Sequence, residues 1–357
     1  DAGAVGFFVS DANLDLAIVS QDPALGTQKW VGISAMIGSL GVTGLPDAFT
    51  LKIRDLEFFY NVASADGRRM DWSGLAGTTT DTFNLDIGTL TNFDDSTEFK
   101  VAGKVMVSIE NFVYVSGGVA LQRKELFVKT VGATTTTRMS VLTLGASNLR
   151  AFVGVGDADS NDDDQVDDVS VLAQNGVGVS MQIDNLAIVL GKPVVAAGAP
   201  ASTKSYFALS GSGGASLIGV DGVSLSGRVA IQINQGKDGA LKIPSIDFLA
   251  SATSNPDAWG SAEGLKAPTG PDPDDFVIVN FAESNLLRVS GYVAVSVADF
   301  LHLSGQFSFS QSGTPQTVRV ANGTAGGGTV TTQMNVMTIG ASHVNAFVGV
   351  GGPYFVD

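Results

Sequence analysis

Val101, Val105, Val107 and Ile109 fall on alternate positions among small or polar residues, and Val289, Val293, Val295 and Val297 repeat the pattern. A period of two sends such side chains to one face of a strand, whereas a helix needs 3.6. Valine, threonine, isoleucine and phenylalanine fill these stretches, and glycine and aspartate break them every 8 to 12 residues or about that. No long segment carries a helical stripe. The pattern predicts an all-β chain with little helix. A short helical turn is expected at Pro256-Asp257-Ala258-Trp259, while Leu56-Glu57-Phe58-Phe59 reads either as a helical turn or as a buried strand. Gly103, Gly117, Gly291 and Gly305 interrupt the strands and are expected at bulges or tight corners, the alternative being close approach of the backbone to a ligand. Recurring corners favour stacked β layers, as a β-solenoid or elongated β-sandwich, over a closed barrel.

The chain also repeats itself. MSVLTLGASNLRAFVGVG from Met139 returns 195 residues later as MNVMTIGASHVNAFVGVG from Met334. Upstream, FKVAGKVMVSIENFVYVSGGVAL from Phe99 is answered 188 residues later by LRVSGYVAVSVADFLHLSGQFSF from Leu287. Weaker matches join Asp66-Gly67 and Met70-Asp71-Trp72 to Asp238-Gly239 and Ile246-Asp247-Phe248, and Leu16-Ala17-Ile18-Val19 to Leu186-Ala187-Ile188-Val189. Two tandem copies are predicted, 1–160 and 171–357, with a junction at 157–170. Both copies should share one fold, with Gly103, Val107, Phe112 and Gly117 equivalent to Gly291, Val295, Phe300 and Gly305. Phe112 and Phe300 are expected to be buried, each sealing a layer between two strands.

Composition narrows the chemistry. The 357 residues carry 20 Lys and Arg against 35 Asp and Glu, a net charge of −15, so binding to nucleic acid or to an anionic bilayer is not expected. The absence of cysteine excludes disulfides, thiolate metal sites and cysteine nucleophiles. No apolar run is long enough to span a membrane as a helix. The chain opens at Asp1 without an initiator Met or a secretory leader, as a processed product or a part of something longer would. Cysteine avoidance, acidity and abundant Gly, Ser, Thr and Val suit an exported bacterial protein; an acidic cytosolic protein shares them.

The strongest chemical motif lies between the copies. Seven aspartates crowd the twelve residues from Asp157 to Asp168 and would repel one another without a cation. Calcium takes six to eight oxygen ligands, and a loop with acceptors on alternate residues can wrap it. Counted from Asp159, positions 1, 3 and 5 are Asp159, Asn161 and Asp163; Gln165 offers its carbonyl at position 7, Val166 is the apolar position 8, and Asp167 is position 9. Asp164 stands where glycine is usual, and Ser170 where a bidentate acid is usual. Counting from Asp157 makes Asp168 the twelfth residue and loses the apolar position, so both frames stay open.

The Asp-x-Asn-x-Asp-x-x-Val-Asp-Asp stretch resembles the calcium loops of dockerin and thrombospondin type 3 repeats. Beside the GAS and AFVGVG segments it resembles the tandem β repeats of very large secreted bacterial surface and adhesin-like proteins. The resemblance implies an extracellular, calcium-stiffened structural repeat.

Catalytic constellations are sparse: there is no nucleophile elbow, phosphate loop or dinucleotide fingerprint. His302 aligns with Tyr114 and His343 with Asn148, so neither position requires imidazole. Asp94-Asp95 and Asp274-Asp275 read as turn residues rather than as the facing carboxyls of a glycosidase. Trp72 and Trp259 read as caps over a layer rather than as sugar platforms. The threonine runs 78–80 and 134–137 suit loops better than an ice-binding ladder. The expected function is an extracellular structural or adhesive repeat that self-associates head to tail, without enzymatic activity. The alternatives are a glycan- or ice-binding module and a carbohydrate-active enzyme. In the expected array, Gly352-Pro353-Tyr354-Phe355-Val356 pack near Val5 to Val9 of the next unit.

Overall fold

The structure is a computed structural model and describes residues 6–43, 49–75, 88–196, 198–311, 313, 315–323 and 327–352. The first half contains β1 (Gly6–Ser20), β2 (Lys29–Thr43), β3 (Phe49–Val62), β4 (Thr97–Ile109), β5 (Val113–Val128) and β6 (Thr137–Val155). Helix α1 (Val169–Asn175) leads into β7 (Val177–Pro193), β8 (Lys204–Ile218) and β9 (Val223–Asp238). A segment follows with β10 (Leu241–Ile243), α2 (Phe248–Ser254), α3 (Pro256–Trp259), β11 (Leu265–Pro268) and β12 (Phe276–Val279). The remaining strands are β13 (Leu286–Val297), β14 (Leu301–Gln311), β15 (Gln316–Ala321), β16 (Thr329–Met334) and β17 (Met337–Val348). The chain is all-β, α3 is the expected turn, and Leu56–Phe59 lie in β3.

Twelve strands form one antiparallel sheet in the order β1 to β9, then β13, β14 and β17; β10 attaches to β9. The expected stacking of layers is corrected here. The strands pair laterally in one meander, and among the described residues they form neither solenoid coils nor a closed barrel. Short hairpin connections explain why. Glu110-Asn111 and Ala298-Asp299 each place two consecutive residues at φ near 50°, the conformation of a tight turn that returns a strand beside its predecessor. Phe112 and Phe300 follow these turns and are 48% and 49% exposed, which overturns their expected burial. They stand at the entrances of β5 and β14, half covered rather than sealed in a layer.

Gly117 and Gly305 do mark bulges, where pairing shifts between Ser116 and Gly118 and between Ser304 and Gln306. Gly103 marks a third, since Asp55 and Leu56 of β3 together lie opposite it between the Arg54–Lys104 and Glu57–Ala102 pairs, whereas Gly291 occupies a regular ladder position between Val229 and Phe307.

Alternation gives the sheet two unlike faces. On the covered face lie all three hydrophobic clusters. Phe59 packs with Trp72, Leu90 and Phe93 from the segment between β3 and β4, and the rings of Phe59 and Phe93 stack at 3.6 Å. Tyr114 and Phe152 pack with Ala158, Val166 and Leu172 from the segment between β6 and β7. Met139, Val141, Ala187 and Val189 pack with Phe248, Trp259 and Leu265 from the segment between β9 and β13. Backbone meets backbone under that third segment: a Cβ at Gly145 would fall on the Pro268 carbonyl, and one at Gly118 would lie 3.0 Å from the Thr269 carbonyl.

Two buried asparagines fasten the outer segments. Asn61 Nδ2 donates to the Met70 carbonyl at 2.9 Å and Asn61 Oδ1 accepts from Trp72 Nε1 at 3.0 Å. Asn234 Nδ2 donates to the carbonyls of Ile246 at 2.8 Å and Glu283 at 3.0 Å. Next to them, Asp71 accepts from the Gly74 amide and Asp247 from the Ala250 amide, each three residues ahead. Asn234→Ala strips two interior carbonyls of their donor. It is expected to cost about 2 kcal/mol or more, read as a lower urea midpoint with unchanged slope.

Candidate functional site

The acidic loop leaves β6 through Gly156, at φ 139°, and lies on the covered face. Its two apolar residues, Ala158 and Val166, are fully enclosed and anchor it. The Val166 amide donates to Ser116 Oγ at 2.7 Å, and the Asp167 amide to the Ala158 carbonyl at 2.8 Å. Arg150 reaches across from β6 to the Val166 carbonyl at 3.1 Å and to Asp168 at 2.9 Å.

Inside this frame the acidic side chains accept from the loop's own amides. Asp159 accepts from Asp163 N at 3.0 Å and Asp164 N at 3.2 Å, Asn161 from Asp163 N at 3.4 Å, and Asp163 from Gln165 N at 2.9 Å. Asp157 accepts from Asp159 N at 3.1 Å and Asp167 from Ser160 N at 3.0 Å. The fold thus knits Asp159, Asn161 and Asp163 into one turn, keeps Asp157 and Asp167 on its flanks, and commits Asp168 to Arg150. Among the described residues, no three His, Asp or Glu side chains are already gathered as a metal-binding group.

Asp164, the departure from the usual loop pattern, turns out to be the anchor. It adopts φ 59°, the left-handed conformation that glycine favours at this place. Its enclosed carboxylate pairs with Lys52 and Arg54, which project from β3 two residues apart and therefore on one face. The Lys-x-Arg spacing marks one basic face of β3 in the sequence without identifying Asp164 as its partner. Beside this ion triplet a polar cavity of about 360 Å³ opens between the loop, Lys104 and Asp272. Lys104 bridges Asp55 at 3.1 Å and Asp272 at 3.4 Å.

The other candidates resolve as structure. Asp94 accepts from Ser96 and Thr97 in a turn; burial raises its pKa, and the charge of Lys124 and these hydroxyls outweigh that and hold it below the usual value. Asp95 is pushed up by burial and by the charges of Asp94 and Asp71. Asp275 closes a turn with Asp272. Trp72 and Trp259 are enclosed and offer no stacking surface. The His302 ring leans on Phe347, 6.2 Å between centroids. His343 sits at φ 50°, as does its sequence counterpart Asn148. Residues 134–136 lie in the exposed loop before β6; residues 78–80, Val5 and 353–356 lie outside the described residues.

The open face of the sheet was not anticipated. Leu16 and Ile18 of β1, Ile183 of β7, Val229 of β9, Leu303 of β14 and Ile339 of β17 all point to it, and no described segment covers them. A groove of about 610 Å³ runs along it, lined by Leu149, Met181, Ile183, Leu225, Val229 and Phe307 among others.

No family model and no curated protein matches the chain. Among solved structures, in-vitro folded OmpT, an outer membrane protein of Vibrio cholerae, in its trimer form, is 12% identical over 97% of this chain and 98% of its own, with a TM-score of 0.22. Outer-membrane expressed OmpT of Vibrio cholerae is 11% identical over the same shares, also with a TM-score of 0.22. At that level of superposition the likeness assigns neither fold family nor location.

Burial, together with the charges of Asp163 and Asp162, pushes the Asp159 carboxyl above its usual pKa. A raised carboxylate binds its proton more tightly when folded, so stability falls as pH rises from the ordinary carboxylate value through the raised one. Asp159→Asn keeps an acceptor and removes the charge. It is expected to raise the urea midpoint at pH 7 in chelator, with the gain disappearing below about pH 4.

Proposed function

We propose that this chain is an extracellular structural or adhesive repeat protein. In this reading two tandem six-strand units extend into a filament, stalk or surface array, stiffened by calcium in the acidic loop. The incompleteness of the sheet carries the reading. Its open face presents exposed Leu16, Ile18, Ile183, Val229, Leu303 and Ile339 from one edge to the other, and apolar patches of that kind mark contact surfaces. Among the described residues its two edge strands, β1 and β17, each pair on one side only.

Several recurrences support the tandem division. Each half contributes six strands to the sheet and carries an outer segment after its third strand. Asn61 and Asn234 fasten those segments through the sequence-matched residues Met70 and Ile246. The hairpins at 110–111 and 298–299 share one backbone conformation, and the Gly154 and Gly349 amides donate to the carbonyls of Phe112 and Phe300, both at 2.9 Å. A repeated unit gives length and multivalency, which suits scaffolding and adhesion.

Calcium belongs to the same proposal, with Asp159, Asn161, Asp163 and the Gln165 carbonyl as ligands and Asp157 and Asp167 on the flanks. The donors are all hard oxygens, as that ion prefers. The loop crosses from β6 to β7, so a bound cation would tie the end of one unit to the start of the next. The kinship with secreted bacterial surface repeats is proposed on the same grounds, and with it the extracellular location.

Two measurements test the reading. Sedimentation and electron microscopy at rising concentration should show polymers, and a protein that stays monomeric at high concentration would sink the structural role. Millimolar calcium should raise the melting temperature of the native chain by several degrees and that of Asp159→Asn/Asp163→Asn hardly at all. An equal response from both would remove calcium from this loop.

A further inference from the structure

We infer that β17 of one chain pairs antiparallel with β1 of a second copy, in the register that β6 and β7 already use inside the chain. The inference rests on the self-assembling role proposed above and specifies its interface.

The junction is visible within the molecule. β6 and β7 pair along almost their whole lengths, with Leu144 opposite Ile188, Ala146 opposite Leu186 and Val153 opposite Val179. β17 repeats the sequence of β6 at an interval of 195, so Leu144, Ala146 and Val153 correspond to Ile339, Ala341 and Val348. β1 repeats β7 at an interval of 170, through Leu16-Ala17-Ile18-Val19 and Val9-Ser10, so Ile188, Leu186 and Val179 correspond to Ile18, Leu16 and Val9. The outer edges of the sheet are thus the two sides of a junction the chain has already built once. Carried over, Ile339 faces Ile18, Ala341 faces Leu16 and Val348 faces Val9.

The faces agree. Ile18, Leu16 and Val9 share the open face through their pairing with Val31, Ile33 and Leu40. Ile339 and Ala341 share it through Phe309 and Phe307, and Val348 through Leu301. At both ends of the boundary this register continues the apolar face, where a slip by one residue would set apolar beside polar; between them the kinks at Asp11 and His343 fall three positions apart, leaving Val344 opposite Asn13. The edges also lack the usual protection. β17 contains no Lys, Arg, Asp, Glu or Pro. In β1 the Asp15 carboxylate is turned to the covered face, where it accepts from the Thr89 amide and hydroxyl at 3.0 and 2.9 Å, which leaves the exposed Asp11, in the kink at φ 55°, as the one free charge on that strand among the described residues. A long edge strand without charges or proline is a template for another strand. Ile339 is 76% and Ile18 65% exposed, against 36% for Val293 in the middle of the sheet, and a lateral neighbour is what the edge residues lack.

The chain has no cysteine, so single substitutions introduce single thiols. Chains carrying Ile18→Cys mixed with chains carrying Ile339→Cys should give a disulfide-linked heterodimer on mild oxidation, as should Val9→Cys with Val348→Cys. The swapped mixtures, Ile18→Cys with Val348→Cys and Val9→Cys with Ile339→Cys, should give at least tenfold less. Equal yields from matched and swapped mixtures would overturn the register. If sedimentation shows polymers but no matched pair links, this interface is wrong while the self-assembling role stands; if no polymer forms, both fall. The double variant Ile18→Cys/Ile339→Cys should give a ladder of covalent oligomers. A bridge closed within one monomer would mean that the sheet rolls into a barrel on itself, and would overturn the proposal.

Discussion

A meander of long antiparallel strands has to satisfy two faces at once, and in this molecule everything else follows from how unequally it does so. Side chains alternate, so each strand exports half its residues to either side. On one side three excursions of the chain fold back and supply a core: the segments after β3, after β6 and after β9 bring Trp72, Leu172 and Trp259 down onto the sheet. Where no excursion packs, the same face turns polar, as with Ser290, Gln306, Ser308 and Ser342 across β13, β14 and β17. The opposite face stays apolar along most of each strand whether or not anything lies on it, with Arg123, Glu125 and Arg138 forming a charged patch at one end of β5 and β6. Sequence composition on the covered face therefore tracks its local partner, and on the open face it does not.

Keeping one face apolar through twelve strands needs correction where the ladder slips. Pairing shifts between Arg54 and Glu57, between Ser116 and Gly118, between Ile183 and Asn185 and between Ser304 and Gln306. Asp55, Asn148 and His343 take left-handed backbone along the same band, with Gly117 among them. An extra residue would flip every later side chain to the wrong face. The apolar spacing widens from two to three at these places, from Ile53 to Leu56, from Ala146 to Leu149 and from Ile183 to Leu186. Bulge and sequence step cancel, and the face survives. Asn148 and His343 share this role, which explains why a histidine aligned with an asparagine rather than with another imidazole.

Strand content, the α3 turn, the bulges at Gly117 and Gly305 and the turn roles of the paired aspartates were legible because each depends on a few neighbouring residues. Sheet architecture was not, because lateral meander and stacked layers use the same alternation and differ in what lies across the faces. Phe112 and Phe300 were misread for the same reason: a large apolar residue between two strands looks like a seal unless it is known to be the last residue of a three-residue hairpin loop. In the acidic loop, local spacing picked out Asp159, Asn161 and Asp163, which the fold does bring into one turn. The role of Asp164 was hidden, since its partners Lys52 and Arg54 lie over a hundred residues away in β3. The open apolar face was written in the alternation of every strand, yet its exposure depends on the absence of a partner layer, which no single strand records.

Charge decides how such a molecule can meet another. A net charge of −15 opposes indiscriminate association, and the acidic residues of the loop and of the segment around Asp272, Asp274 and Asp275 sit on the covered face. Approach through that face brings like charges together. The open face of β13, β14 and β17 carries no ionisable side chain apart from the His343 turn, and the β17 edge carries none of Lys, Arg, Asp or Glu. Repulsion thus disfavours the covered side, while burial of valine, leucine and isoleucine rewards contact at the charge-free surfaces. Specificity in the proposed assembly rests on where charge has been left out as much as on the groups that touch.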